Sequence, residues 1–422
     1  MTVGINTEAI NHKNIPFTMY DLGWVVLCIG AAIGSGIVFF PLQVGLKGVW
    51  VFALAVILGY PAVYYMQKLF IETMARSDEQ DSYLSIITSY VGSRWGVLLG
   101  ALYSFTMLKS MVEYALAITN DSASYLKTFG LTNQTLSEHW WWSLLLIAGL
   151  SLVASKGEKL LFKVSGSMIA VKLVIIVAIG FVVIPFWDVS NIGAFPTVSH
   201  LVVGTFPTLP FAIFSIMFVG ILNPMNIAYK KREEDKDVAK YKILRVHKVA
   251  YLVLVATVLL FVMSIVLSIS EADALRAYQD NISALALAAK VIPGATVKYM
   301  SVILNVFSIV TAFLALYLAV HESFVGLIKV TVKPQENNSK AISVAAFVMV
   351  VLVLWLIVLT NFPILKVFVF GGVTYGLISC IIPGFIILKN DKFSDLRGAS
   401  VYYVILIGIL MCIGPFVMLF SQ

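Results

Sequence analysis

Apolar residues in this chain are concentrated in eleven long runs that short polar connections separate. The runs lie at residues 22–45, 48–70, 96–124, 140–155, 165–187, 205–229, 247–269, 297–325, 341–360, 363–388 and 401–420. Most of them reach the length of about 20 residues that a helix needs to cross the hydrocarbon core of a bilayer. We therefore predict an all-α polytopic membrane protein with eleven transmembrane helices.

The composition agrees with a membrane protein and argues against several other classes. Of the 422 residues, 60% are hydrophobic and 12% are charged, a balance that soluble domains do not have. The five histidines are scattered, the three cysteines lie inside apolar runs, and neither a metal-ligand spacing nor a phosphate-binding loop occurs. The sequence therefore predicts no enzyme, no metal site and no bound cofactor.

Basic residues are distributed unevenly among the connections. If the N-terminus is inside, most of the 29 lysines and arginines face the cytosol, and few, such as Lys47 and Lys127, face outward. The excess of basic residues in cytosolic loops then predicts a cytosolic N-terminus and a periplasmic or extracellular C-terminus. The same asymmetry explains the net charge of +7, so we predict no nucleic-acid partner. The basic stretch 230–248 is expected to be a solvated cytosolic loop.

Three glycines lie close together in the first run, at Gly30, Gly34 and Gly36. Glycine lowers helix propensity by about 1 kcal/mol relative to alanine, so this run is weak in its middle. Either the small residues allow close packing of helices, or the helix opens here to hold a ligand. An opened backbone survives in lipid only where protein or a polar cavity covers it.

The sixth run is also interrupted, by Pro210 and Pro224, each of which lacks a backbone donor. A simple proline kink is one interpretation of this pattern. However, two interrupted runs at matching positions in two halves of a chain are typical of an inverted-repeat transporter. Since each half then has an odd number of helices, the second half crosses the membrane in the opposite direction, as the basic residues also require.

A helix that breaks within the membrane offers two kinds of backbone group. Free N–H groups at the start of its second half, together with the helix dipole, attract a carboxylate. Carbonyl groups left free at the end of its first half accept hydrogen bonds from an ammonium group. A zwitterionic amino acid therefore fits such a break without a buried charged side chain.

Several stretches of the chain resemble a known family. The sequence Gly-Ala-Ala-Ile-Gly-Ser-Gly-Ile at 30–37 resembles the first-helix signature of the amino acid–polyamine–organocation superfamily. Its continuation at 39–46 and the stretches 117–126, 157–163 and 281–286 are similar to the bacterial hydroxy and aromatic amino acid permeases. This resemblance covers nearly the whole chain.

The resemblance implies a LeuT-like fold, a five-plus-five inverted repeat with discontinuous helices 1 and 6. We expect residues 1–20 to form a cytosolic N-terminal tail and residues 21–390 to form the ten-helix transport core. Within the core, repeat one is expected at about 21–190 and repeat two at about 200–390. Residues 391–422 are expected to carry the eleventh helix.

The resemblance also implies a substrate site at the two breaks. The backbone N–H groups of Ser35 and Gly36 are expected to bind the substrate carboxylate, and the Ala32 carbonyl is expected to face its ammonium group. Phe214 and Ser215 of the sixth run are expected to cover the site. The full substrate-binding set is Ala32, Ile33, Gly34, Ser35, Gly36, Phe214 and Ser215.

Lys172 lies within the fifth run, where insertion of a lone lysine costs about 3 kcal/mol. It resembles the fifth-helix lysine of proton-coupled relatives, whose ammonium group occupies the place of a sodium ion in sodium-coupled relatives. Ser308 and Thr311 of the eighth run are expected to line the same cavity and to take part in ion coupling. The alternative is that Lys172 snorkels to the nearby interface.

Three further charged residues are candidates for functional roles. Lys109 and Glu113 lie one helical turn apart in the third run, where the resembling permeases have apolar residues. They are expected to pair inside the bundle, either as a structural ion pair or to shape specificity or relay protons. Glu322, beside His321 at the cytosolic end of the eighth run, matches a glutamate of the family. It is expected at an inner gate or in an interfacial pair.

Together these observations predict a secondary active transporter of the bacterial inner membrane that works by alternating access. The resemblance implies symport of protons with serine, D and/or L, or with related small hydroxy or thiol amino acids such as cysteine or threonine. The alternative is an aromatic amino acid permease or a sodium-coupled one. The expected partners are the amino acid, the coupling proton and the lipid bilayer, and the proton gradient is the expected driving force. The sequence makes no prediction of oligomeric state.

Overall fold

The computed structural model describes residues 15–76, 89–90, 92–156, 158–332 and 339–420. For a few residues within these ranges, Ser35 among them, it describes only the backbone. Most of the expected cytosolic tail, residues 1–14, lies outside the described residues. The described part of the chain is helical and contains no strand, which confirms the all-α prediction.

Sixteen α-helices follow one another along the described chain. They are α1 (Met19–Ala32), α2 (Ser35–Lys47), α3 (Val49–Ala75), α4 (Ser93–Thr128), α5 (Trp140–Ala154), α6 (Glu158–Val182), α7 (Val198–Ile216), α8 (Val219–Arg232), α9 (Lys236–Ser268), α10 (Glu271–Gln279), α11 (Ala284–Val291), α12 (Ala295–Val332), α13 (Ser339–Leu359), α14 (Ile364–Tyr375), α15 (Ile382–Lys389) and α16 (Ala399–Phe420). A π-helical segment, Gly376–Ile381, joins α14 to α15.

These helices make the protein a multi-pass membrane protein. Within the described ranges, eight helical segments are long and apolar enough to cross a bilayer, and the bent pair α1 and α2 forms a ninth. Two shorter apolar helices, Trp140–Ala154 and Met168–Val182, lie in the fourth and fifth apolar runs. The figure of eleven transmembrane helices remains a prediction.

The first and sixth apolar runs are both broken in the middle. Helices α1 and α2 meet at 49° across Ile33 and Gly34, where Gly34 is extended (φ −141°, ψ −152°). Helices α7 and α8 are separated by Met217 and Phe218, which also leave the helical conformation. This arrangement confirms the prediction of discontinuous helices 1 and 6.

The break in the sixth run does not coincide with either proline. Pro210 lies inside α7, and Pro224 lies inside the second turn of α8. Since Pro224 has no N–H, it cannot donate to the carbonyl of Gly220, so the first turn of α8 is held less firmly. The prolines therefore weaken the helix on both sides, and the chain opens between them.

The broken helices lie at the centre of the bundle. Ile33 and Phe218, one at each break, are buried, and α7 packs along both α2 and α3. By contrast, the peripheral helices α5, α13 and α16 expose large apolar side chains such as Leu145, Leu352 and Phe416. An apolar perimeter around a polar, interrupted centre is the arrangement that a lipid environment requires.

The basic stretch 230–248 is not a loop, which corrects the expectation from the sequence. Helix α8 runs to Arg232, and α9 begins at Lys236 directly after Asp235. The Asp235 side chain accepts hydrogen bonds from the N–H groups of Asp237 and Val238 and so caps α9. The basic residues therefore lie on two helix ends, and the loop between these helices is only three residues long.

The polar connection after the seventh run forms a helical hairpin. Helices α10 and α11 are each capped by a serine, and Asn281 turns the chain between them with a positive φ of 54°. Helix α10 packs closely on α2, because a Cβ atom at Gly45 would lie 2.9 Å from the Cβ atom of Ala274. The hairpin thus covers one end of the broken first run, on the predicted outer side of the membrane.

At the opposite end of the bundle, an ion pair joins the end of α3 to the segment before α16. The Arg76 guanidinium binds both carboxylate oxygens of Asp395, at 2.6 and 2.5 Å. These hydrogen bonds lower the pKa of Asp395 to about 2. The carboxylate is exposed, so we expect the pair to stabilise the fold only weakly.

The low pKa of Asp395 predicts that the ion pair contributes equally to folding stability at about pH 5 and at about pH 8. A depressed carboxyl pKa stabilises the folded state above the unfolded pKa, and this stabilisation is lost only as the pH falls towards about 2. We therefore expect Asp395→Asn to lower the thermal unfolding midpoint in detergent by the same small amount at about pH 5 and at about pH 8. A clearly different decrease at the two pH values would contradict this assignment.

Candidate functional site

The two helix breaks meet at Gly36, in the first turn of α2. A Cβ atom at Gly36 would lie 2.7 Å from the carbonyl carbon and oxygen of Phe214 and 3.0 Å from the backbone nitrogen of Ser215. Gly34 is equally tight, since its Cβ atom would lie 2.8 Å from the hydroxyl of Tyr114 on α4. Glycine at position 36 therefore allows the backbones of the two broken segments to touch, and glycine at position 34 makes room for the Tyr114 hydroxyl.

The predicted substrate-binding residues come together at this contact. Ala32 ends α1, Gly34 caps α2, and the backbone N–H groups of Ser35 and Gly36 begin α2. Helix starts of this kind have no intrahelical partners for their first N–H groups and carry partial positive charge. Ala32, Ile33, Gly34, Gly36 and Ser215 are buried, and Phe214 is half-buried.

Side chains of α3 hold the second break in place. The Gln67 Oε1 atom accepts a hydrogen bond of 3.0 Å from the N–H of Phe218, a group that the break leaves without a helical partner. Ser215 Oγ donates to the Ala212 carbonyl at 2.7 Å and lies 3.3 Å from the Tyr60 hydroxyl. Sequence reasoning missed Gln67 and Tyr60. The signal for Gln67 was a buried amide inside an apolar run.

Lys172 reaches the first break and not the membrane interface. Its Nζ atom lies 2.9 Å from the carbonyl oxygen of Ile33, 3.3 Å from that of Gly30 and 3.1 Å from Thr311 Oγ1. The side chain is only 2% exposed, so the structure does not show the snorkelling alternative. Lys172 therefore joins the end of α1 to α12 through a single ammonium group.

Ser308 lies one turn before Thr311 on the same face of α12. It is fully buried, and its hydroxyl has no hydrogen-bond partner among the described residues. Thr311 donates to the Phe307 carbonyl at 2.7 Å, which leaves its oxygen free to accept from Lys172. Both predicted hydroxyls thus lie on α12 close to the lysine, although only Thr311 contacts it.

Lys109 and Glu113 form the predicted pair at the edge of the breaks. Their Nζ and Oε1 atoms are 2.6 Å apart, and the side chains are 11% and 4% exposed. The ammonium also lies 5.8 Å from the ring centre of Phe214 and 5.4 Å from that of Tyr375. A Cβ atom at Gly371 would lie 2.2 Å from Nζ, so glycine at this position makes room for the lysine.

Glu322 lies exposed on α12, and the closure at the predicted cytosolic end is built from other residues. Asp21 of α1 accepts a hydrogen bond from the Tyr229 hydroxyl of α8, and Arg245 Nη2 of α9 lies 3.4 Å from the same carboxylate. Arg245 also donates to the carbonyl of Ile15 at 2.7 Å. Sequence reasoning missed this closure. Its only local signal is the acidic Asp21 just before the first apolar run.

Comparisons with known proteins agree with this architecture. The sequence profile of the tryptophan/tyrosine permease family matches residues 20–421. The chain belongs to this family. As a member of a permease family it is a membrane transporter and not an enzyme.

Individual relatives are similar over nearly their full length. The chain is 41% identical over 417 residues to a protein described as "Probable serine transporter" of Escherichia coli (strain K12), with 97% of this chain and 94% of that protein covered. It is 26% identical to "Serine transporter SdaC" of the same strain, with 100% of each chain covered.

Among solved structures, the chain resembles that of MhsT in complex with L-phenylalanine. The TM-score is 0.55 at 13% sequence identity, and the match covers 94% of this chain and 97% of that one. At this identity the likeness shows the fold alone. It confirms the LeuT-like fold that the family resemblance implied.

The contact between Gln67 and Phe218 predicts a specific effect on stability. We expect Gln67→Leu to leave the Phe218 N–H buried without a partner, at a cost of about 1 to 3 kcal/mol. The thermal unfolding midpoint in detergent, followed by tryptophan fluorescence, should fall accordingly. Ile57→Leu, at an exposed position on the same helix, is the control. Equal unfolding midpoints for wild type and Gln67→Leu would show that the contact does not support the break.

Proposed function

We propose that this protein is a secondary active transporter that imports serine, D and/or L, or related small amino acids such as cysteine or threonine, together with protons. The observation that carries the proposal is the contact of two broken helices beside their breaks, in a chain that is 41% identical to a protein described as "Probable serine transporter". The bacterial inner membrane is the proposed location, with a cytosolic N-terminus. The proton gradient is the proposed driving force, and no cofactor is needed.

The backbone at the first break supports binding of a zwitterion. The N–H groups of Ser35 and Gly36 and the dipole of α2 attract the substrate carboxylate. Lys172 already binds the carbonyl groups of Gly30 and Ile33, so the carbonyl of Ala32 between them is the one proposed for the substrate ammonium. Phe214 and Ser215 cover the bound amino acid from α7.

The contacts of Lys172 support a role in proton coupling. As an ammonium group it is a cation that links α1 to α12. Loss of its proton removes the charge and one donor, which weakens the link between these helices. In the proposed cycle α1 changes position, and the protonation state of Lys172 controls the transition between outward-open and inward-open forms.

The surroundings of Phe214 support a small, polar substrate side chain. The Tyr375 ring lies 4.8 Å from Phe214, centre to centre, and the Lys109 ammonium lies beside both rings. We propose that these groups leave room beside Phe214 for a small side chain only. The ammonium also supplies a donor for a hydroxyl or thiol group. Lys109 and Glu113 are therefore proposed as specificity residues.

The closures at the two ends of the bundle support alternating access. The contacts of Asp21 with Tyr229 and Arg245 hold α1 against α8 and α9 at the predicted cytosolic end. The hairpin of α10 and α11 covers α2 at the other end. Each closure involves one half of the broken first run. Opening one of them while the other stays shut would expose the substrate site to one side of the membrane.

Uptake by proteoliposomes tests the function and the coupling ion together. We expect serine to accumulate with an imposed pH gradient and not with a sodium gradient, and labelled serine, cysteine or threonine to exchange better than tryptophan. Accumulation driven by sodium alone, or a preference for tryptophan, would favour the alternative permease functions over the one proposed.

Lys172→Ala tests the coupling role. We expect this variant to lose pH-driven accumulation of serine by about tenfold or more, since about 1.4 kcal/mol of coupling corresponds to a factor of ten. Counterflow exchange without a gradient should persist, because the N–H groups of α2 remain. Lys127→Ala, which changes an exposed lysine, is the matched control. Full pH-driven accumulation by Lys172→Ala would disprove the coupling role.

Gly371→Ala tests the placement of Lys109. The new methyl group would lie 2.2 Å from the lysine Nζ and would force the ammonium away from Phe214. We expect KM for serine exchange to rise by about fivefold or more, without loss of thermal stability, since alanine favours a helix over glycine by about 1 kcal/mol. Gly149→Ala, at an open position on α5, is the control. An unchanged KM would remove Lys109 from the substrate site.

A further inference from the structure

A third buried carboxylate lies near the predicted outer end of the bundle, where the hairpin meets α4. Asp121 is 1% exposed. Its Oδ1 atom accepts from the N–H of Ser283 at 2.8 Å, and its Oδ2 atom accepts from Nδ2 of Asn305 at 2.6 Å. The same Asn305 nitrogen lies 2.7 Å from the hydroxyl of Tyr125. We call Asp121, Tyr125, Ser283 and Asn305 the outer carboxylate cluster.

Within the described part of the chain, Asp121 differs from the other buried acids in having no basic side chain paired with it. Among the described residues the buried carboxylates are Asp21, Glu113 and Asp121, and the first two pair with Arg245 and Lys109. The groups that bind Asp121 come from α11 and α12, and the titratable group beside it on α4 is the neutral phenol of Tyr125. A buried charge without a counter-charge is costly, and binding a proton removes that cost.

Two of the basic residues on neighbouring elements are engaged elsewhere, and a third, Lys366 of α14, is not among the groups that act on Asp121. Lys298, at the start of α12, donates to the carbonyl of Thr128 at 2.9 Å. Lys290 of α11 lies 3.3 Å from the carboxylate of Asp280, on the exposed surface. Neither is among the groups that bind Asp121 in the described structure, so a proton is the cation that suits this carboxylate.

The hairpin of α10 and α11 covers Asp121 and is bound to it through Ser283. Ser283 caps α11 and offers its backbone N–H to Asp121. The turn before it is fixed by Asn281, which donates to the side chain of Asn361 at 2.9 Å and to the carbonyl of Phe362 at 3.0 Å. Lifting of the hairpin would remove Ser283 from Asp121 and expose the carboxylate to water on that side.

A row of polar side chains leads from this cluster to Lys172. Ser301, Asn305, Ser308 and Thr311 follow one another at spacings of four, three and three residues, so they share one face of α12. All four are buried, and Ser301 Oγ, Asn305 Oδ1 and Ser308 Oγ have no hydrogen-bond partner among the described residues. From Asn305 to Thr311 the helix rises about 9 Å, a distance that a few waters can bridge.

We propose that Asp121 is the outer proton-loading residue of the transport cycle and that the polar face of α12 passes its proton to Lys172. With the hairpin open, the carboxylate takes a proton from water. With the hairpin closed, the Ser283 N–H and the Asn305 amide donate to the carboxylate and so stabilise its ionised form. The acid then releases its proton through water on α12, and the amine of Lys172 becomes an ammonium group. The proposal rests on the proton-coupled transport proposed above and adds the route by which the proton arrives.

A charge swap within the cluster tests the proposal. Asp121→Asn cannot load a proton, but it keeps the acceptor for Ser283. Asn305 can turn its free Oδ1 atom towards the new amide, so the contacts between helices remain. The double variant Asp121→Asn/Asn305→Asp returns a carboxylate to the same cluster from α12. Both variants are compared with wild type in proteoliposomes, by serine counterflow without a gradient and by accumulation under an imposed pH gradient.

We expect Asp121→Asn to retain counterflow within about twofold and to lose pH-driven accumulation by about tenfold, and the double variant to recover most of it. Undiminished accumulation by Asp121→Asn would overturn the proposal. Parallel loss of counterflow and accumulation, without recovery in the double variant, would also overturn it and show a purely structural latch. If wild type itself shows counterflow but no pH-driven accumulation, the proposed proton coupling fails first, and this result is distinguishable from either of the others.

Discussion

A helix that opens inside a membrane must find a partner for each backbone group that it frees, because lipid supplies none. This constraint explains the central contacts of the protein. Lys172 donates to two carbonyl groups at the end of α1, and Gln67 accepts from the Phe218 N–H at the second break. The groups that remain at the start of α2 are those that the proposed substrate would satisfy. Substrate binding would thus supply the backbone hydrogen bonds that the first break leaves unmade.

The contact between the two broken segments also fixes their position relative to each other. Because Gly36 touches the backbone at Phe214, movement of one broken segment is transmitted directly to the other. The charged and aromatic groups around Phe214 are connected to the same point through Lys109 and Tyr375. The groups proposed to recognise the amino acid backbone and those proposed to recognise its side chain therefore form one packed unit.

The sequence predicted the breaks because glycine and proline act locally. It singled out Lys172 because a lone lysine in an apolar run is costly to insert into a membrane. It missed Gln67, Tyr229 and the position of the second break, since these depend on contacts between residues about 150 or more positions apart. The helical structure of 230–248 was missed for a different reason. Its cap, Asp235, acts locally, but the high charge of the segment favoured the interpretation as a solvated loop.

The partners of Lys172 are synthesised at different times, because the chain grows from its N-terminus. Gly30 and Ile33 enter the membrane well before α6, whereas Thr311 follows Lys172 by 139 residues. Lys109 and Glu113 differ, because they are carried by one helix and can pair as soon as that helix forms. During biogenesis, docking of α6 on α1 is therefore the first contact that can shelter the lysine. The lysine that joins α1 to α12 in the folded protein can therefore already join α6 to α1 before α12 has been made.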